Sequence, residues 1–262
     1  MPCCACPAMP SITPDAKEKL AAYLRFQRDL GVEAVRIAKL SAAPPVRAQA
    51  AASPVRAAPR APAVVLPDSE TLAQIQEDLG PDCRRCKLHR LGRHKIVFGD
   101  GNPQAELVFV GEGPGADEDM QGLPFVGRGG QLLTDMIQKG MGLRREQVYI
   151  CNVVKCRPPE NRTPESDECA ACSLFLLRQL RAIRPRVICA LGATAAQNLR
   201  PYKGSLSGVR GIVHDLQIGD FATKLVITYH PAYLLRDPSQ KKEAWKDLQL
   251  IMGYLGLPAP GR

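Results

Sequence analysis

The sequence has no apolar run of the roughly 18 to 20 residues that a membrane-spanning helix needs. Met1 to Pro10 also lack the charged start and apolar core of a secretion signal. Both absences point to a soluble intracellular protein. No phosphate loop ending in Gly-Lys-Ser or Gly-Lys-Thr is present, which argues against a nucleoside triphosphatase, and no internal repeat is visible. Acids are in short supply: the formal net charge is +9 and the pI about 9.1, a balance that favours a polyanionic partner. Nine Lys/Arg against four Asp/Glu in residues 1–67 give that region a surplus of five, leaving four for the rest.

The 262 residues, 45% of them hydrophobic, suffice for one substantial core with an appendage. Residues 15–40 place Leu20, Leu24, Leu30 and Val35 at approximate helical spacing, an amphipathic helix within an N-terminal extension of residues 1–40. Residues 41–67 are rich in Ala, Pro and Arg and read as a solvated linker. The compact domain is expected over residues 68–262. There, short β-branched runs at 107–110, 148–154, 186–191 and 225–228 alternate with helical patterns at 69–79, 130–139, 165–183, 193–199 and 240–255. This pattern predicts an α/β three-layer sandwich, with a central, mostly parallel four-stranded sheet flanked by helices.

Ten cysteines in an intracellular chain suggest metal ligation or core thiols rather than disulfides. Cys3, Cys4 and Cys6 crowd the terminus, and Cys189 sits in an apolar strand. Two tetrads compete among the rest. Cys83, Cys86, Cys169 and Cys172 would form the paired CxxC of a structural zinc site. Cys83, Cys86, Cys156 and Cys172 would suit a four-thiolate iron–sulfur cluster. Spacing does not choose between them, although prolines 158 and 159 and the flanking cations favour an exposed Cys156 thiolate.

Three features carry chemistry. The strand 107–110 breaks into Gly111-Glu112-Gly113-Pro114-Gly115, then closely spaced acids and Phe125, at the edge where an open α/β sheet binds its ligand. Pro114, the early third glycine and the missing downstream acid make a dinucleotide fingerprint a poor match. His230 directly follows a strand and is fixed by Pro231. Asn152 places an amide in a buried strand, where it must find backbone partners or a ligand's amide edge.

Taken together, Gly-Glu-Gly-Pro-Gly with Gly-Leu-Pro-Phe-Val-Gly-Arg-Gly-Gly-Gln-Leu-Leu, Asn-Val-Val-Lys-Cys-Arg-Pro-Pro-Glu-Asn-Arg and His-Pro-Ala-Tyr-Leu-Leu-Arg resemble the family 4 uracil-DNA glycosylases. The resemblance covers about residues 72–255. It implies a uracil-DNA glycosylase-like fold, hydrolysis of the deoxyuridine N-glycosidic bond to leave an abasic site, and a [4Fe–4S] cluster on Cys83, Cys86, Cys156 and Cys172. Phe125 would stack on uracil, Asn152 would bond its O4 and N3 edge, and the backbone at Gly113 would line the pocket. His230 would stabilise the departing anion at O2, and Glu112 would orient water and balance the developing positive sugar. Leu234 and Leu235 would wedge into the minor groove while Arg236 contacts phosphate; Arg128, Arg157 and Arg210 are further candidates for DNA-backbone contacts. The implied partner is uracil-containing DNA, single- or double-stranded, met by a monomer in a bacterial or archaeal cytoplasm near the nucleoid, with the N-terminal extension free for a repair or replication partner.

Two other readings remain. One related group becomes covalently attached through a histidine in an inserted basic segment, but residues 153–171 contain neither, which favours turnover. A cluster-bearing DNA-binding module without catalysis is disfavoured by the joint presence of Glu112, Phe125, Asn152 and His230.

Overall fold

Three apolar runs are strands buried at every position, which requires a sheet covered on both faces. The computed structural model describes residues 70–258. The N-terminal helix, the linker and the partner-binding role expected of residues 1–67 lie outside the described residues. In chain order the elements are α1 (Leu72–Leu79), β1 (Asp100–Gly101), β2 (Leu107–Gly111), α2 (Ala116–Gln121), α3 (Arg128–Asp135), β3 (Tyr149–Asn152), α4 (Ser166–Ile183), β4 (Val187–Leu191), α5 (Ala193–Leu199), β5 (Val213–Ile218), β6 (Phe221–Thr228), α6 (Pro231–Arg236) and α7 (Lys241–Leu255).

The sheet order is β1-β3-β2-β4-β6-β5. Its four central strands are parallel and correspond to the four expected from the sequence. The sheet nevertheless has six strands, because β1 and β5 add antiparallel edges. Neither edge carries the apolar run that betrays a buried strand: β1 is two exposed residues, and β5 alternates burial through His214, Asp215 and Gln217.

Successive side chains point to opposite faces of a strand. Leu107 and Phe109 of β2 therefore join a core with Leu133 of α3 and Trp245, Leu248 and Ile251 of α7. Val108 and Val110 join the other, with Leu176 and Leu180 of α4 and Ala195 and Ala196 of α5. The chain leaves β2 towards β3 and later returns to β4 on its other side. Such a switch opens a crevice beyond the strands' C-terminal ends. Gly111, Asn152, Gly192 and His230 all lie along that edge.

Candidate active site

Gly111 closes β2 in register with Asn152, the last residue of β3. A Cβ on Gly111 would stand 2.5 Å from Cζ of Phe125 and would collide with Asn152 Oδ1. The bare backbone is what lets these two side chains converge. Gly113 lies as tightly against Val154, whose Cγ2 would be 2.7 Å from an added Cβ. Phe125 is buried and held at φ 53°, a conformation that costs a bulky residue roughly 1–3 kcal/mol. Its ring centroid is 5.6 Å from that of His230, with the planes 34° apart.

A carboxylate holds this strained turn. Glu118 Oε1 accepts the N–H groups of Val126 and Gly127, both at 2.9 Å, and Oε2 accepts that of Gly115 at 3.1 Å. From the other side, Arg145 donates to the Pro124 carbonyl at 2.7 Å and to the Thr134 hydroxyl at 3.0 Å. The neighbouring acids divide the remaining work. Asp119 is fully buried and accepts from His94 Nδ1 at 2.7 Å and from the N–H groups of His94 and Lys95 at 2.9 and 3.3 Å. Asp117 is exposed on the first turn of α2. Glu112 is half-buried at the strand end, where its carboxylate accepts the hydroxyl of Thr194 in α5.

Asn152 is 1% exposed, and its Oδ1 has no hydrogen-bond partner among the described residues. A buried acceptor left unpaired costs about 1–3 kcal/mol, so this atom is set for a donor from a ligand. His230 caps α6, its Nδ1 accepting the Ala232 N–H at 3.2 Å. Burial, then the positive charge of Arg236, lower its pKa to about 4. The ring is therefore neutral near pH 7, and with Nδ1 accepting, its proton is assigned to Nε2, a donor. Gly192, at φ 88°, leaves 3.0 Å between an added Cβ and the His230 Cβ.

The structure splits the expected wedge. Leu234 is buried in the core against α3 and α7 and is not an exposed wedge, because a six-residue helix turns that side inward. Leu235 and Arg236 are exposed at the crevice. Arg128 is exposed, and Arg157 donates to Asn161 Oδ1 at 2.8 Å. Arg210 is occupied: it pairs with Asp247 at 2.9 Å and Glu243 at 3.1 Å and lies 5.1 Å over the Tyr229 ring. That makes it a brace behind His230 rather than a free phosphate contact.

Four of the cysteines lie within electrostatic reach of one another: after burial, Cys86 and Cys83 help raise the Cys156 thiol, and Cys156 and Cys86 help raise that of Cys172. Burial raises the Cys169 thiol, which bonds Asn198 and lies near Glu112, Glu168 and Asp167. Arg93 donates to Cys156 Sγ at 3.2 Å and to the Cys83 carbonyl at 2.7 Å, and the Lys155 N–H donates to Cys172 Sγ at 3.3 Å. Burial raises the Cys156 thiol, and Cys172 to about 12, so ionised sulfur there needs a cationic centre besides these N–H groups. Among the described residues, no three His, Cys, Asp or Glu converge as ligands of a single metal ion.

Several contributors escaped sequence reasoning. The Gly115-x-x-Glu118 spacing of a helix start was a usable signal for Glu118. Arg145, Thr194, Arg93 and the buried Lys155 carried none, since each acts through contacts distant in sequence.

A family model described as the uracil DNA glycosylase superfamily matches residues 98–249. A type-4 uracil-DNA glycosylase of Thermotoga maritima is 50% identical over 173 residues, covering 66% of this chain and 88% of the relative. One from Archaeoglobus fulgidus is 46% identical over 195 residues, 73% of this chain and 96% of the relative. A type-5 uracil-DNA glycosylase of Pyrobaculum aerophilum is 32% identical over only 98 residues, 37% of this chain and 42% of the relative. The chain belongs to the uracil-DNA glycosylase superfamily, in its type-4 group.

Proposed function

We propose that the crevice formed by Gly111, Phe125, Asn152 and His230 receives a uracil extruded from DNA, and that this uracil-DNA glycosylase hydrolyses its N-glycosidic bond there. The observation that carries the reading is the unpaired Oδ1 of Asn152, buried beside the Phe125 ring. A flipped base must be repaid for lost stacking and read along its pairing edge. Phe125 supplies the stacking face. Asn152 Oδ1 accepts from uracil N3–H while its Nδ2 donates to O4, a pattern that the reversed edge of cytosine does not match.

As the bond breaks, negative charge collects on the base and positive character on the deoxyribose. The His230 Nε2–H is aimed at O2, where a donor placed for the developing anion is worth about 3–4 kcal/mol. A neutral imidazole suits this task, because it stabilises the anion without first having to gain a proton. Glu112, steadied by Thr194, orients the attacking water and offsets the sugar's charge. Exposed Leu235 and Arg236 hold the opened duplex and its phosphate.

Cys83, Cys86, Cys156 and Cys172 are the ligands we assign to a [4Fe–4S] cluster, and the N–H donors at sulfur fit that thiolate set. These cysteines would let a bound cluster tie together the loop after α1, the segment after β3 and α4. No helix among the described residues is long and apolar enough to cross a membrane; we place the enzyme with the DNA of the cytoplasm, working as a monomer.

The test is incubation with uracil-containing oligonucleotides followed by alkali. Strand cleavage at the uracil position is expected with single- or double-stranded substrate. Absence of cleavage on both would sink the reading, as would a stable covalent adduct in place of turnover. The purified protein should be brown with about four irons per chain; a colourless protein with one zinc would refute the cluster.

A further inference from the structure

Lys155 touches both the pocket and the cysteine set. Its side-chain nitrogen is fully buried and donates to the Asn152 carbonyl at 2.8 Å and to Gln179 Oε1 at 2.5 Å. Both acceptors are neutral. Its own N–H donates to Cys172 Sγ at 3.3 Å, and its carbonyl accepts the Val97 N–H at 2.8 Å. Gln179 is fixed in turn, donating to the Phe98 carbonyl at 2.9 Å and the Tyr149 hydroxyl at 3.1 Å.

Burying a lysine amino group is costly whether or not it keeps its charge, and a lysine needed only for solubility would sit at the surface. This one occupies the four-residue step between Asn152 and Cys156. The same step is zipped to the glycine loop: Val153 and Val154 donate to the carbonyls of Gly111 and Glu112 at 2.9 and 3.1 Å. The direction of the Asn152 amide therefore depends on a short backbone tied at one end to the sheet edge and at the other to Cys172.

We infer that Lys155 is a positioning residue that couples the group held by the cysteines to recognition of the base, by fixing the Asn152 main chain from a segment anchored on Cys172. The inference rests on the readings of Asn152 as the base reader and of the four cysteines as cluster ligands. Freeing Cys172 would loosen the segment that carries Lys155 and so blur base reading, beside any cost in stability.

The experiment compares binding of an oligonucleotide carrying 2′-fluoro-2′-deoxyuridine, whose glycosidic bond resists hydrolysis, with the same strand carrying deoxycytidine. Wild-type protein should be brown and prefer the first. Lys155→Met, which keeps chain length and apolar bulk, should stay brown and bind the deoxycytidine strand unchanged while the preference for uracil falls about tenfold. Asn152→Ala should lose the preference likewise, and the double variant should lose no more than Asn152→Ala alone. An undiminished preference in Lys155→Met, or additive losses in the double variant, overturns the inference. If Lys155→Met does not fold, Gln179→Met removes the other acceptor of the Lys155 amino group and should lower the preference about threefold, an effect absent in the Asn152→Ala background; an unchanged preference in Gln179→Met alone also overturns it. A colourless wild type, or one with no uracil preference, instead defeats the readings underneath, before any variant is compared.

Discussion

The pocket edge and the cysteine flank sit at opposite ends of the same short segment, residues 152–156, yet they treat polar atoms in opposite ways. At the pocket, Asn152 Oδ1 is buried with no partner among the described residues, Phe125 is held at φ 53°, and the Ala232 N–H takes up the His230 Nδ1, which leaves Nε2–H as that ring's donor. At the flank, Arg93 and the Lys155 N–H already point at sulfur. A site for a passing ligand keeps its hydrogen bonds unspent until the ligand arrives, because only interactions realised in the transition state raise the rate. A site for a resident group is closed around it, and its contribution appears as stability.

The sharpest way to break this comparison is to exchange the consequences. Cys156→Ser should cost stability first: loss of the brown colour and several kcal/mol, roughly 10 °C or more in Tm for a domain of this size. Thermal unfolding followed beside the visible spectrum checks it. A colourless variant with an unchanged Tm would mean that the flank is not structural. His230→Ala should do the reverse, lowering kcat roughly 10²–10³-fold with the spectrum and fold intact.

The same histidine has a signature in pH. Its folded-state pKa of about 4 lies below the usual 6.5, so between those values the unfolded chain binds more protons. Stability should decline as pH falls from about 6.5 to 4, by at most about 3 kcal/mol, and be unaffected by this group above that window. Denaturant unfolding at pH 7 and pH 4.5 measures the slope, and His230→Gln should flatten it. An equal slope in both proteins would show that the ring is protonated in the folded state.

Within the pocket, Glu118→Ala tests whether the strained turn serves the reaction. It strands the N–H groups of Gly115, Val126 and Gly127 and should let Phe125 relax, lowering kcat/KM about 10- to 100-fold. Asp117→Ala, a neighbouring exposed acid, should leave kcat/KM within about twofold. Equal losses in the two variants would assign the effect to net charge instead of to the turn.

Legibility in the sequence followed the same division. The four parallel strands and the helices at their faces were readable because complete burial leaves an uninterrupted apolar run, as in Val187–Leu191. Edge strands β1 and β5 were not, since one exposed face erases that signal. Gly111, Asn152 and His230 could be singled out because glycine, an amide and an imidazole are conspicuous at strand ends, whereas the role expected of Phe125 came from the family resemblance. Their supports were hidden: Lys155 looks like any cation in Lys-Cys-Arg, and Arg210 like any surface charge, until burial and partners are known. Leu234 and Leu235 are alike in sequence, and only the packing of α6 decides that one is core and the other is not.

That last pair supplies the smallest expected effect. Leu235 is 37% exposed beside the crevice, whereas Leu234 is 1% exposed. Truncating an exposed leucine removes little packing, so Leu235→Ala should leave Tm within about 1–2 °C. If Leu235 props open a base step, the variant should turn over double-stranded substrate about two- to fivefold more slowly, because it loses part of what offsets unstacking. Single-stranded uracil-DNA has no partner strand to displace and should be cleaved at the wild-type rate. A parallel drop on both substrates would make Leu235 a general DNA contact, and no drop on either would show that Leu235 does not open the duplex.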